Sequence, residues 1–268
     1  MCDICVIESV KARMLSRRDL FRGAAASVAV GTVAATPSLA QGARRVVDLT
    51  HTLSPSFPTY GGDPGIAMDL VLNFAENGYN LNQISLAEHS GTHIDAPLHF
   101  SADGTAVDEL AMGELVAPLV CIDIREKVET DSDAMVTPDD VQAWIDAHGE
   151  IPEGACVAML SGWAARAGGE GFRNADADGV MHFPGFHKEA TDMLLGTGAA
   201  SIGVDTLSLD PGNSADFAVH YSWLPAGRFG IECLAGLEEV PAAGATIVIG
   251  APKWAGGTGG PARVFALV

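Results

Sequence analysis

Four side chains able to bind a metal ion or carry a proton fall within eleven residues, His89-Ser90-Gly91-Thr92-His93-Ile94-Asp95-Ala96-Pro97-Leu98-His99. Three of the chain's eight histidines lie in this window. Imidazole is a good ligand for zinc, manganese or iron, and a neighbouring carboxylate can bridge two ions. Gly91 and Pro97 punctuate the stretch, so it reads as a shaped loop. Pairing His89 with His93 across one helical turn is therefore a poor account of it. A turn aiming His89, His93 and Asp95 at one centre fits better than a polar loop whose histidines only satisfy backbone groups, because Asp95 and His99 continue the pattern.

A second group of candidates lies more than a hundred residues on. His220 opens a short apolar segment, and Glu232 sits inside Phe229-Gly230-Ile231-Glu232-Cys233-Leu234. A carboxylate within an apolar strand is costly unless it is paired or bound to a metal. Glu232 is thus a candidate ligand, the alternative being an ion pair with Arg228. His220 is a ligand or a helix-capping histidine. His51, His182 and His187 read as structural, His187 because it immediately precedes a helix. His148 reads as a surface residue at a helix end, where a cation suits the dipole. Asp205 and Asp210, at the end of a buried strand, read as organisers of backbone or loop. Ser161 and Ser208 lie outside any G-x-S-x-G elbow, which sets aside a nucleophilic serine.

The elements that must position these groups follow from hydrophobic patterning. Residues 45–50, 66–74, 81–87, 116–124, 155–160, 199–204, 246–250 and 263–268 read as strands, with Glu76-Asn77-Gly78 as the turn between the second and third. Thr137-Pro138-Asp139-Asp140 is a helix start, with a capping hydroxyl, proline in the first turn and acids near the positive end of the dipole. That helix runs to about His148-Gly149. A second spans residues 188–195, and the Gly- and Asp-rich stretch 166–180 is a loop. This order implies a single α/β domain with a mixed sheet.

The 268 residues are 48% hydrophobic, enough for one domain with a substantial core. Net charge is −19. Such a chain repels nucleic acid and anionic lipid, leaving a small molecule as the expected substrate. The first forty residues read as a separate segment. Ser16-Arg17-Arg18-Asp19-Leu20-Phe21 resembles a twin-arginine export signal, followed by small and apolar residues 23–35 and then Pro37-Ser38-Leu39-Ala40 for cleavage. The apolar run is too short for a stable membrane anchor. Residues 1–40 are expected to be removed, leaving one folded domain at 41–268 in the periplasm. Met1 and Met14 are both candidate starts. Residues 1–40 hold five of the 15 Lys and Arg and three of the 34 Asp and Glu, so the remainder carries −21. Its three cysteines, Cys121, Cys156 and Cys233, cannot all pair, and no disulfide framework is expected.

The segment His89–Phe100 resembles the HxGTHxDxPxH signature of the metal-dependent cyclase-like hydrolases, of bacterial kynurenine formamidase and isatin hydrolase type. Phe183-Pro184-Gly185, residues 203–210, His220 and Glu232 resemble later blocks of that family, so the likeness spans most of the chain after residue 45. It implies a swivelling β/β/α-type core with a loop-built metal site and a homodimer or homotetramer. It further implies two divalent ions, zinc or manganese. His89 and His93 would hold one, His220 the other, and Asp95 and Glu232 would touch both. His99 matches the family's general acid/base. Phe57–Pro64 is similar to a segment that packs an aromatic against substrate, which points to Tyr60. Where the formamidases carry Trp-Pro-Gly-Asp, this chain has Tyr60-Gly61-Gly62-Asp63, keeping an aromatic and losing the proline. The implied reaction is cleavage of a C–N bond in a small aromatic or cyclic amide by metal-activated water. Lactone hydrolysis, dehydration or cyclisation on the same site is the alternative, as is a non-catalytic periplasmic binding protein. A binding protein has no need of His99 beside a complete ligand set.

Overall fold

Strands β5 (Val116–Asp123) and β7 (Cys156–Leu160) are apolar at nearly every position, and they become the buried middle of the sheet. Their side chains alternate between two cores. Leu119, Cys121, Cys156 and Ala158 enter one, while Val120, Ile122, Val157 and Met159 enter the other. Burial on both faces is what a continuous apolar run requires. The computed structural model describes residues 45–268. The expected export signal at residues 1–40 lies outside the described residues. Among the described residues, no helix is long and apolar enough to cross a membrane.

Nine strands form one mixed sheet. In spatial order they are β1 (Val46–Asp48), β13 (Arg263–Leu267), β11 (Ala245–Gly250), β5, β7, β9 (Ser201–Val204), β10 (Phe229–Glu232), β4 (His93–Asp95) and β12 (Gly259–Pro261). Pairing is parallel from β5 through β7 and β9 to β10, and antiparallel elsewhere. Helices α3 (Pro138–His148), α4 (Lys188–Leu195) and α5 (Ala218–Trp223) cover the second core with Val141, Trp144, Ala190, Leu194, Val219 and Trp223. Outside this body, β2 (Ile66–Leu72) and β3 (Leu81–Leu86) form a two-stranded ribbon whose tip carries the single-turn helix α1 (Phe74–Asn77). A further turn, α2 (Arg125–Val128), follows β5, and β6 (Met135–Val136) pairs with β8 (Gly185–Phe186).

The mixed α/β sheet and single domain agree with the sequence reading, as do the helix at 188–195 and the capped start of α3. There the Thr137 amide donates to Asp140 Oδ2 at 2.7 Å. Three elements differ. The His89–His99 stretch is not loop throughout, because His93–Asp95 is a strand with a neighbour on each side. Three residues between Gly91 and Pro97 are too few to show periodicity, and their strand partners come from residues 229–261. His220 lies within helix α5, and β12 is built from Gly259, Gly260 and Pro261, a composition that normally argues against a strand.

Candidate metal centre and substrate pocket

Alternation along β4 explains why the motif reads His-x-Asp. Ile94 is fully buried in the first core, so His93 and Asp95, one residue to either side, face the opposite way together. Register then supplies the partners. Glu232 on β10 lies directly opposite His93, and Gly259 on β12 lies opposite Asp95. A side chain at Gly259 would meet the Ile94 carbonyl at 2.2 Å and His89 Cε1 at 2.8 Å, so only glycine lets β12 approach. Gly91 has φ +64, in the left-handed region that glycine enters without cost. Its carbonyl accepts from His93 Nδ1 at 2.8 Å.

That hydrogen bond fixes the His93 tautomer, leaving Nε2 aimed at the carboxylates. His220 is set the same way: its Nδ1 donates to Asp210 Oδ2 at 2.6 Å, and Asp210 also accepts from the amides of Val219 and His220. A histidine whose outer nitrogen is tied to a carbonyl or carboxylate is the usual form of an oriented metal ligand. The inner nitrogens converge. His93 Nε2 lies 3.2 Å from Asp95 Oδ1 and 3.4 Å from Glu232 Oε2. His220 Nε2 lies 3.5 Å from Asp95 Oδ2 and 3.3 Å from Glu232 Oε1. All four side chains are buried, yet His93 Nε2 and Asp95 Oδ2 have no hydrogen-bond partner. Spacings of this size are the edges of a tetrahedron with arms of about 2.0–2.1 Å, the length of a zinc–nitrogen bond. Two orphaned donor atoms in an N/O set at that spacing fit a divalent cation.

Electrostatics point the same way. Burial alone would raise Asp95, but His93, His220 and His89 around it hold it well below the usual carboxylate range. Burial raises Glu232, and the charge of Asp95 adds to this. Burial would lower both His93 and His220, yet the carboxylates drive them well above their ordinary value. Two buried carboxylates thus demand positive charge, which either protons on the imidazoles or a cation can supply.

The other two histidines of the motif sit beside this ring. His89 Nδ1 donates to Asp95 Oδ1 at 2.6 Å, and its Nε2 lies 2.9 Å from Thr258 Oγ1. Glu88 in turn accepts from the Thr258 hydroxyl at 2.5 Å. His99 stacks on the His89 ring, centroids 3.7 Å apart. Burial, with help from His89 and His220, holds His99 down at about 4 although Asp95 pulls it up. It is therefore a neutral imidazole at pH 7. Above the ring lies a cavity of about 250 Å³, walled by Tyr60, Phe100, Leu207 and Phe217 and floored by His89, His93, His99, His220 and Glu232. Burial, then Asp210 and Glu232, raise the Tyr60 phenol, which stays protonated. All seven residues singled out from the sequence meet at this one cavity or, for Asp95, directly beneath it.

Residues 47–211 match the family described as "Putative cyclase". The chain belongs to this cyclase family. The cyclase-family chain is 34% identical over 249 residues to an isatin hydrolase of Roseibium aggregatum, across 86% of this chain and 94% of that one. It is 25% identical over 220 residues to a kynurenine formamidase of Salinibacter ruber, across 81% of this chain and 95% of the other. Among solved structures, isatin hydrolase A from Ralstonia solanacearum superposes with a TM-score of 0.80 at 38% identity, covering 91% of this chain and all of that one.

Several residues of the cyclase-family site carry no signal in the sequence reading. Phe100 adjoins His99, and its ring lies 4.6 Å from His220. Phe217, in the left-handed region at φ 51, sits one turn before His220 and turns its ring toward Tyr60 and Phe100, 5.8 Å from each. A helix at 218–223 read from the sequence would have put Phe217 and His220 on one face. Thr258 and Glu88, which hold His89, are joined only by the fold. The remaining histidines are elsewhere. His51 lies outside the cavity with its ring 5.5 Å from Phe57. His182 donates to Asp133 at 2.7 Å, His187 caps α4 by accepting from the Glu189 amide, and His148 packs 5.0 Å from Trp144. Asp205, as read, organises backbone. It accepts from the amides of Ser161 and Trp163 and from the Ser161 hydroxyl. Cys121, Cys156 and Cys233 are buried free thiols.

Proposed function

We propose that this protein is a divalent-metal-dependent hydrolase that cleaves the C–N bond of a small aromatic or cyclic amide, an arylformamide or an isatin-like ring. The observation that carries this reading is the pair of unpartnered atoms, His93 Nε2 and Asp95 Oδ2, buried beneath an aromatic-walled cavity. His89, His93, Asp95, His220 and Glu232 would hold two ions, zinc or manganese. Such ions supply Lewis acidity toward a carbonyl oxygen and bring the pKa of water toward neutrality.

The chain's own part follows from its geometry. Tyr60, Phe100 and Phe217 receive the planar ring and exclude water from around it. His99 enters neutral, so it first accepts a proton from the attacking water at a ring nitrogen. It then returns that proton to the departing amide nitrogen, which leaves poorly without it. Asp210 keeps His220 in one tautomer, and Gly91 does so for His93. The cavity volume of about 250 Å³ suits a bicyclic compound or an acyl aniline and is too small for a polymer.

The twin-arginine pattern at Ser16–Phe21 supports export to the periplasm with residues 1–40 removed. The folded state that such export carries would allow the metal to be loaded first. A homo-oligomer is the reading we favour for assembly.

The test is turnover of isatin and of N-formylkynurenine by zinc- and manganese-loaded protein, with a chelated control and Glu232→Ala. Chelator-sensitive hydrolysis of one of them is expected, lost in Glu232→Ala. Hydrolysis undiminished after complete metal removal would overturn the reading.

A further inference from the structure

Arg173 keeps its charge behind the Tyr60 wall of the cavity without a carboxylate to answer it. Among the described residues, Lys and Arg ion pairs engage Arg45, Arg125, Lys127, Lys188 and Arg263, and Arg173 forms none. Its Nε is buried and has no hydrogen-bond partner. A buried donor left unpaired is costly, and an apolar side chain would fill the space without that cost. What the guanidinium does engage is backbone: Nη2 donates to the Tyr60 carbonyl at 3.1 Å.

Tyr60 needs such a hold. It is the second residue of a tight turn, closed by the Gly62 amide donating to the Thr59 carbonyl at 3.2 Å. The Thr59 hydroxyl donates to the Asp63 carbonyl at 2.6 Å and ties off the far end. The two residues after Tyr60 are both glycine and both exposed, so the backbone there has the widest freedom a chain can have. Gly62 sits at φ +87, and a side chain on it would meet Arg173 Nη1 at 3.1 Å, so the guanidinium lies close against the turn. A second cavity of about 300 Å³, lined by Ser56, Thr59, Asp63, Glu170 and Arg173 among others, lies behind the turn and gives it room to fall back. The Tyr60 ring faces Phe217, centroids 5.8 Å apart, so slack in this turn is slack in one wall of the substrate cavity.

Arg173 itself stands on firm ground. Phe172 before it is fully buried, its ring edge-on to Phe57 at 5.8 Å. Asn174 after it, in the left-handed region at φ 45, donates from its side chain to the His182 carbonyl at 2.7 Å. Both neighbours thus fix the backbone from which the guanidinium reaches out.

We propose that Arg173 is a positioning residue whose guanidinium pins the Tyr60 carbonyl, so that the Tyr60 ring stands as a preformed wall for a flat substrate. A wall ordered in advance spares binding the cost of ordering it. The proposal rests on the small-aromatic-amide reading above and adds the residue that sets the shape of the pocket.

Arg173→Met, Arg173→Lys, Tyr60→Ala and the double variant Tyr60→Ala/Arg173→Met test it, with isatin as the substrate of the metal-loaded proteins. Arg173→Met should raise KM roughly three- to tenfold, the cost of ordering one side chain on binding, and hold kcat within about a factor of two. In the Tyr60→Ala background the same change should do nothing further, because the residue it positions is gone. Arg173→Lys keeps a donor on a long stem and should recover part of the loss. An effect of equal size with and without Tyr60 overturns the proposal, as does an unchanged KM or a lysine no better than methionine.

Hydrogen exchange of the Gly62 amide reads the same tether without turnover. It should quicken by about threefold or more in Arg173→Met. It should slow again on adding Gly61→Ala, which stiffens the turn at a position with no positive φ and nothing within 4 Å of the added methyl. Arg173→Lys, with exchange above the wild type, serves if Arg173→Met does not fold. Unchanged exchange overturns the tether. Faster exchange in a protein that hydrolyses neither isatin nor N-formylkynurenine upholds it and removes the amide-hydrolase reading alone.

Discussion

His99 lies flat on His89, ring centroids 3.7 Å apart and planes 21° from parallel. Two stacked imidazoles cannot both be cations at little cost. His99 is neutral, held at about 4 by burial first and lowered further by His89, His220 and His93, although Asp95 pulls it up. A bound cation would push it in the same direction. The acid limb of the pH–kcat/KM profile should therefore fall near pH 4 and not near 6.5, with activity lost as pH drops through that value and His99 takes up its proton. His99→Ala should lower kcat by about 10²–10⁴ while metal content stays unchanged. Metal retained together with undiminished turnover would remove His99 from the mechanism.

Asp210 acts on the centre through His220. Asp210→Ala frees His220 Nδ1 and the amides of Val219 and His220 at once. Metal affinity should fall about 10- to 100-fold, measured by competition with a chromogenic chelator. Asp210→Asn keeps an acceptor oxygen and should recover part of the loss. Equal loss in the two variants would mean that the carboxylate's charge, not its orientation of the ring, is what matters.

Phe217 is a wall of the cavity and offers no metal-binding atom itself. Phe217→Ala should raise KM for an aromatic substrate about tenfold, in line with one lost apolar contact, and leave kcat within a factor of a few. A kcat that falls while KM holds would instead place Phe217 in the positioning of His220, whose ring lies 5.7 Å away.

The sequence legibility of this protein was uneven for physical reasons. Gly91, Pro97 and the histidines around them, His89, His93 and His99, announce a candidate metal-binding segment because each residue type does its work locally. Glu232 is legible because an acid in an apolar strand is costly alone. The strand pairing that joins the two groups is not legible. It sets Glu232 opposite His93 across an interval of more than a hundred residues, and nothing in either segment names the other. Asp210, Thr258 and Glu88 were hidden in the same way, since each orients a histidine that only the folded sheet brings near. The two strands at 66–74 and 81–87 and the turn between them are legible, but their exposure is not, because a hairpin reads the same whether its apolar side chains meet the core or solvent.

Asp205 offers a stability test away from the chemistry. It is fully buried and holds its proton up to about pH 6, whereas an unfolded Asp releases it near 3.8. Folded protein binds more protons than unfolded protein in that window, so this group's contribution to stability declines as pH rises from about 4 to 6. Asp205→Asn leaves the Ser161 and Trp163 amides short of an acceptor and should cost about 2–3 kcal/mol at pH 7. Because the wild type gains from its proton at lower pH, the cost should be about 1 kcal/mol larger at pH 5 than at pH 7. Denaturant unfolding at the two pH values measures it, and an equal or smaller cost at pH 5 would reverse the sign assigned to Asp205.

Strand β4 has both of its neighbours, β10 and β12, in roughly the last forty residues of the chain. A nascent chain that has already displayed His89–His99 therefore has a metal-binding motif and no centre. His93 and Asp95 lack Glu232 and His220, and the glycines of β12 have not yet arrived. Tight cation binding can begin only once β10 and β12 have been made and the sheet has closed around β4. Occupancy of the centre would thus be a report that the two ends of the sheet have been joined.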